Sequence, residues 1–173
     1  MVYSPTNIAL SISHKDIVSS TTKTEDGSQV IHLVNHNYNN GIAQKDNGNI
    51  DAALDAFSKV LDLAPEHTSA LINKGNLLQS NGDLNGALCN YKRAIIIEPD
   101  HSKAYNNIGT VFQEQGQLKS SLEYYQRAAS IDPNYSDAYN NIGCILQQIG
   151  NVEKSIDALK KAVELDPTHL IAQ

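Results

Sequence analysis

Between Ser102 and Tyr135 the apolar residues fall three and four positions apart. Ala104, Tyr105, Ile108, Val111 and Phe112 share one face of a predicted amphipathic helix of about four turns. Gly116 sits where a left-handed residue closes such a helix, so Gln115-Gly116-Gln117 reads as a tight turn. Leu118, Leu122, Tyr125, Ala128, Ala129 and Ile131 then line a second helix. It stops at Asp132-Pro133, because proline lacks the N–H that would continue the ladder.

The same pattern recurs at an interval of 34 residues. Gly109, Gly116 and Pro133 have counterparts at Gly41, Gly48 and Pro65, at Gly75, Gly82 and Pro99, and at Gly143, Gly150 and Pro167. Eight of the ten glycines and four of the five prolines lie on this grid, too regularly for chance. A period of roughly 20–50 residues marks a solenoid in which each unit buries its apolar face against its neighbours. The expectation is an all-α chain of eight helices in four antiparallel pairs, repeats 34–67, 68–101, 102–135 and 136–169. Gly109 in mid-helix forfeits about 1 kcal/mol against alanine, which is reasonable if its partner helix comes close, with Ser121 and Ala128 as matching small surfaces.

In order, Tyr105, Ile108-Gly109, Phe112, Gly116, Ser121, Tyr125, Ala128 and Pro133 fill the pattern of the tetratricopeptide repeat, which the chain resembles over about 34–169. The next copy supplies Tyr139, Ile142-Gly143, Leu146, Gly150, Ser155, Leu159, Ala162 and Pro167. The preceding copy has Leu71, Gly75, Leu78, Gly82, Ala87, Tyr91, Ala94 and Pro99, with Lys74 departing from the expected apolar residue. The resemblance implies a right-handed α-solenoid whose concave face is lined by the polar side of each first helix, where extended peptides lie.

The flanks differ. Residues 1–27 lack the period and are rich in Ser and Thr, as in SSTTKT at 19–24, so a disordered tail is expected ahead of a repeat domain at 28–173. Asp26-Gly27-Ser28 reads as a turn and helix cap, followed at helical spacing by Val30, Ile31, Val34, Tyr38 and Ile42. Repeat 34–67 is atypical, with Asn37, Asn40 and Gln44 at positions elsewhere apolar and Val60 replacing an alanine, as expected of a capping unit. After repeat four only Leu170-Ile171-Ala172-Gln173 remain, too few for the shielding helix usual in the family. Either the chain is a fragment of a longer protein, or that end pairs with another copy or a partner.

A net charge of −6 gives no electrostatic reason to bind a phosphate backbone, so no nucleic-acid partner is expected. No apolar run approaches the roughly 18 residues of a spanning helix and the start lacks a basic lead-in; cytoplasm or nucleus is expected, and no membrane partner. Cys89 and Cys144 lie in different repeats and suggest no disulfide. No phosphate-cradling loop, nucleophile elbow or Cys-x-x-Cys pair occurs, so neither catalysis nor a cofactor is expected. His32 and His36 are four apart but lack a third ligand, and no metal is expected; His67, His101 and His169 read as solvated turn residues at repeat junctions. Phe57, Tyr91 and Tyr125 read as core.

The sixth position of every repeat is asparagine: Asn39, Asn73, Asn107 and Asn141. Asparagine disfavours helix interiors because its amide competes for the backbone, so a periodic column asks for a reason. One reading is a bond to the neighbouring helix or a mere repeat-consensus residue. The other is a ladder whose donors and acceptors grip the main chain of an extended peptide of any sequence. It resembles the ladder lining the superhelix of O-linked N-acetylglucosamine transferase. The candidate peptide groove comprises Asn39, Asn73, Asn76, Asn107 and Asn141 with Tyr38, Asn106, Asn140, Lys103 and Thr110. The expected function is a non-catalytic scaffold or adaptor that binds extended segments of other proteins. Alternatives are the substrate-recognition part of a transferase of that kind, or a co-chaperone holding acidic C-terminal tails. The co-chaperone clamp needs Lys, Asn, Asn, Lys and Arg; Tyr38, Ile42, Asn73, Lys103 and Asn107 match poorly, as do Ile72, Asn76, Asn107, Asp137 and Asn141.

Overall fold

Proline and glycine punctuate the chain where the pattern predicts. The computed structural model describes residues 25–167, and within them every regular element is an α-helix. They are α1 (Glu25–Asp46), α2 (Ile50–Leu63), α3 (Thr68–Ser80), α4 (Leu84–Ile97), α5 (Ser102–Glu114), α6 (Leu118–Ile131), α7 (Ser136–Gln148) and α8 (Val152–Leu165). Odd and even helices are the first and second members of the four repeats, so the fold is an all-α helical-repeat solenoid. Gly48, Gly82, Gly116 and Gly150 close the first helices at φ between 73° and 83°, a conformation that costs glycine alone nothing. At Gly116 the Gln117 N–H reaches back to the Phe112 carbonyl (2.8 Å), satisfying an orphan of the helix end. The second helices end one residue short of the proline, with Ala64, Glu98, Asp132 and Asp166 out of the helical region at ψ between 82° and 99°, as the pyrrolidine ring demands.

The chain divides into two units, 1–74 and 75–173. In the first, α1 packs on α2 and buries Val34, Ala53, Ala56, Phe57, Val60 and Leu61. In the second, α4 to α8 pack in succession. Tyr125, Ala128, Ala129, Ala138, Ile142, Ile145 and Leu146 form one core cluster there.

One contact recurs inside the repeats. The mid-helix glycine of each first helix faces the ring, or its substitute, sixteen residues on. A Cβ at Gly41 would stand 2.8 Å from Phe57, at Gly75 2.5 Å from Tyr91, at Gly109 2.7 Å from Tyr125 and at Gly143 2.6 Å from Leu159. Phe57, Tyr91 and Tyr125 are wholly buried. The glycine therefore accommodates a ring, and in repeat four Ser155, the counterpart of Ser121, also lies close, its carbonyl oxygen 3.3 Å from a Cβ at Gly143.

Three local expectations change. Helix α1 is already formed at Glu25 and runs through Asp26-Gly27-Ser28, read from sequence as a turn and cap. One glycine in a helix costs about 1 kcal/mol, too little to break a ladder supported on both sides. Lys74, expected to be apolar, lays its ammonium on Ser58 Oγ (2.9 Å), which makes a basic residue acceptable there. His67 is buried, not solvated, and accepts a bond from the Ala70 N–H on Nδ1 (3.2 Å) as the cap of α3; His101 caps α5 in the same way. Of the tail expected over 1–27, residues 25–27 are helical and 1–24 lie outside the described residues, as do His169 and the C-terminal Leu170–Gln173.

Gly109→Ala gains about 1 kcal/mol of helix propensity but drives a methyl into a buried ring, an overpacking worth about 1–3 kcal/mol. In Gly143→Ala the neighbour is half-buried Leu159, which can change rotamer. Thermal melting by circular dichroism is expected to show a lower midpoint for Gly109→Ala and a smaller change for Gly143→Ala. Equal behaviour would refute the ring contact as the determinant.

Candidate functional site

The polar side of α5 presents Asn106, Asn107, Thr110 and Gln113 at helical spacing. In the unit 75–173 these side chains bond to the end of α3 and to α7. Asn107 Nδ2 donates to Asn76 Oδ1 (2.9 Å), and Asn141 Nδ2 donates to Asn106 Oδ1 (3.0 Å). Two core phenols add to the same wall from below. The Tyr91 hydroxyl lies 2.7 Å from Asn76 Oδ1 and 2.9 Å from Gln79 Oε1, and the Tyr125 hydroxyl lies 3.1 Å from Thr110 Oγ1 and 2.8 Å from Gln113 Oε1. Each phenol has one proton, so it donates to one amide oxygen at a time. Gln79 is oriented by its Nε2, which donates to the Glu114 carboxylate. Burial pushes both phenols above the usual tyrosine range, and Glu114 adds to the shift of Tyr91, so both remain protonated donors.

In the unit 1–74, Asn73 Nδ2 donates to the Tyr38 hydroxyl (3.1 Å) and to the Ser69 carbonyl (2.9 Å). Tyr38 is held by its ring, stacked on His67 at 4.9 Å and tilted against Phe57 at 5.8 Å. Asn39 is exposed, and its side chain makes no hydrogen bond among the described residues.

Three members of the asparagine column thus share one geometry: Asn73, Asn107 and Asn141 each give an amide N–H to the first helix of the preceding repeat. No donor among the described residues bonds to the Oδ1 of any of the three. Asn76 and Asn107 join in one hydrogen-bonded group and Asn106, Thr110 and Asn141 in another; Asn140 is half-buried outside both, and Lys103 is exposed without an ion pair among the described residues. The hydroxyls of Tyr91 and Tyr125 were missed as wall residues because their rings sit at core positions. The available signal was chemical: a buried phenol must end at a hydrogen-bond partner, and the amides 12 to 15 residues upstream supply it.

His32 and His36 are both exposed, and no group of three His, Cys, Asp or Glu suited to a metal occurs among the described residues. Cys89 and Cys144 are free thiols. No helix among the described residues is long and apolar enough to cross a membrane.

Three family models match the sequence, described as Tetratricopeptide repeat over residues 100–168, TPR repeat over 75–116 and Tetratricopeptide repeat over 37–67. No curated protein matches it significantly. Among solved structures the chain is similar to the 41-to-end portion of MamA from Desulfovibrio magneticus RS-1, at 25% identity and TM-score 0.70, covering 78% of this chain and 76% of that one. A further crystal structure of MamA gives 23% identity and TM-score 0.72 over 80% and 81% of the two chains. YrrB, described as a TPR protein with an unusual peptide-binding site, gives 24% identity and TM-score 0.67 over 85% and 74%.

The buried phenols fix the sign of an alkaline effect. A tyrosine raised in the folded state from 10.0, as Tyr135 is to about 12 by burial and by Asp137 and Asp132, binds its proton more tightly folded than unfolded. Its contribution is complete below the unfolded pKa and is lost as pH rises through the folded one. The melting temperature is expected to fall between about pH 10 and about pH 12, and to fall less steeply in Tyr91→Phe. An equal slope in that variant would contradict the assignment of Tyr91.

Proposed function

The chain belongs to the tetratricopeptide repeat family, and we propose that it holds an extended segment of another protein by its main chain, along the polar wall of α5 and α7. Proteins of this family are generally non-catalytic interaction modules, and a protein-interaction scaffold is the class to which the chain is assigned. The observation that carries the finer reading is the shared commitment of the amide N–H groups. With one N–H of Asn107 and of Asn141 fixed to the neighbouring helix, their Oδ1 atoms are oriented acceptors without donors, suited to main-chain N–H groups. Main-chain capture of this kind is indifferent to side chains, as in other modes that read an extended backbone. In YrrB the same fold carries a peptide-binding site.

An acidic tail is disfavoured on the same wall. Its oriented groups are neutral amides, and the Glu114 carboxylate bonds directly to Gln79 within it. A ligand carboxylate would meet repulsion there and would lack the charged donors whose bonds are worth roughly 1.5–3 kcal/mol each.

The test uses peptides selected by display against the full chain. For selected peptides of unrelated sequence, Asn107→Ala and Asn141→Ala are each expected to weaken binding by about 0.5–1.5 kcal/mol, roughly 2- to 12-fold, and by similar factors for every peptide. Both variants also lose an inter-helix bond, so titrations are run well below their melting temperatures. Unchanged affinity, or losses confined to one peptide, would defeat the main-chain reading. Dominance of Lys103→Ala with steep salt dependence would establish the acidic-tail clamp instead.

A further inference from the structure

By helical geometry Tyr139, Ile142 and Leu146 lie on the side of α7 opposite Asn141. They floor a cleft of about 430 Å³ walled by Ala129 of α6 and Ala158 of α8. Lys154, Asp157 and Lys161 stand around it, all exposed.

One repeat earlier the equivalent space is filled. There the floor is Tyr105, Ile108 and Phe112, and the counterpart of Ala158 is Tyr124. The Tyr124 ring lies 5.3 Å from Phe112 and 6.2 Å from Tyr105, with the Arg127 guanidinium 5.9 Å over the Tyr105 ring. In repeat four the ring at this position is absent, Phe112 has become Leu146, and the basic residue persists as Lys161. The cleft therefore opens where repeat three places a tyrosine, at a position held by Ala56 and Asn90 in repeats one and two.

We infer that this cleft receives an aromatic side chain carried by an acidic segment of a partner protein. The ring is specified by the filled copy: an apolar floor, an aromatic neighbour at stacking distance and a cation at the edge. The acidic flanks are specified by one of the two rim ammonium groups, that of Lys154, which stands with the Asp157 carboxylate at the edge. Lys161 is paired with Glu164 at 3.8 Å, whereas Lys154 has no ion pair among the described residues. An aromatic anchor in a pocket ringed by polar groups is the usual form of an interface hot spot. A second copy of the chain is the poorer occupant. The exposed large apolar residues among those described are Leu33, Leu63, Ile96, Ile149, Val152 and Ile156, with no aromatic ring to offer. This inference concerns the face of α7 away from the amide wall and does not depend on what binds that wall.

The test is a methyl NMR titration of the full chain with acetyl-Asp-Glu-Tyr-Glu-Asp-amide. Saturable shifts are expected at the Ile142, Leu146, Ala129 and Ala158 methyls. The peptide with alanine for tyrosine is expected to bind at least about tenfold more weakly, as is a lysine-flanked tyrosine peptide. Ala158→Tyr, which restores the ring found in repeat three, is expected to abolish the shifts and to raise the melting temperature. Asn107→Ala is expected to leave the titration unchanged. The inference is overturned by no shift with the tyrosine peptide, by equal binding of the alanine or lysine peptide, or by a lower melting temperature for Ala158→Tyr. It is also overturned if sedimentation shows a peptide-free dimer that Ala158→Tyr dissociates, since the occupant is then a second copy.

Discussion

A side chain as small as a methyl group cannot be added at Gly41, Gly75 or Gly109 without meeting an aromatic ring at 2.5 to 2.8 Å. The rings of Phe57, Tyr91 and Tyr125 occupy the space that these absent side chains leave, and all three are wholly buried. Magnitudes explain why glycine persists in mid-helix. It forfeits about 1 kcal/mol of propensity, while burying a large aromatic side chain returns about 1.5–3 kcal/mol and more through close packing. Ring burial wins, and it sets how near the two helices of those repeats approach. Where the ring becomes Leu159 the close approach is kept by other means, and Ser155 Oγ donates to the Gly143 carbonyl at 2.7 Å.

The same rings connect core and wall. A phenol buried to its hydroxyl needs an acceptor, and Asn76, Gln79, Thr110 and Gln113 are the groups it finds. Polar residues on the first helices therefore answer first to the core beneath them. Asn107 and Asn141 add a second layer by tying one first helix to the next. This is the neighbour-bonding reading of the asparagine column, and it is compatible with ligand binding because an amide has an oxygen as well as an N–H. Fixing the N–H removes rotational freedom from the oxygen, which lowers the entropy lost when a ligand donor arrives.

Most of the fold was legible because its determinants are local and repeated. Gly116 and Pro133, copied at 34 residues, mark helix ends through steric rules that tertiary context seldom overrides. Less legible were features that depend on what a side chain meets across space. The capping role and burial of His67 depend on the Tyr38 ring stacked on it, which no local pattern encodes. The hydroxyls of Tyr91 and Tyr125 were hidden because position in a helix shows where a ring goes but not where its far end emerges. The cleft at Ala158 lies at a position without a period, held by Ala56, Asn90 and Tyr124 in the earlier repeats, and a template matched for its agreements passes over it.

On the two proposals made above, that cleft and the amide wall divide labour along a single helix. On one side of α7, Asn141 and its partner Asn106 offer neutral groups that suit any main chain and discriminate little between sequences. On the other, the cleft beside Ala158 has an apolar floor and a charged rim, which favour an apolar side chain over a polar one. A wall of the first kind supplies contact without choice, and a slot of the second supplies choice over little contact. A short helix packed on both neighbours keeps the two faces in fixed register, so a partner that uses both is selected by one side chain while being held by many main-chain bonds. Under those proposals the periodic residues set where a ligand runs, and the position without a period sets which ligand stays.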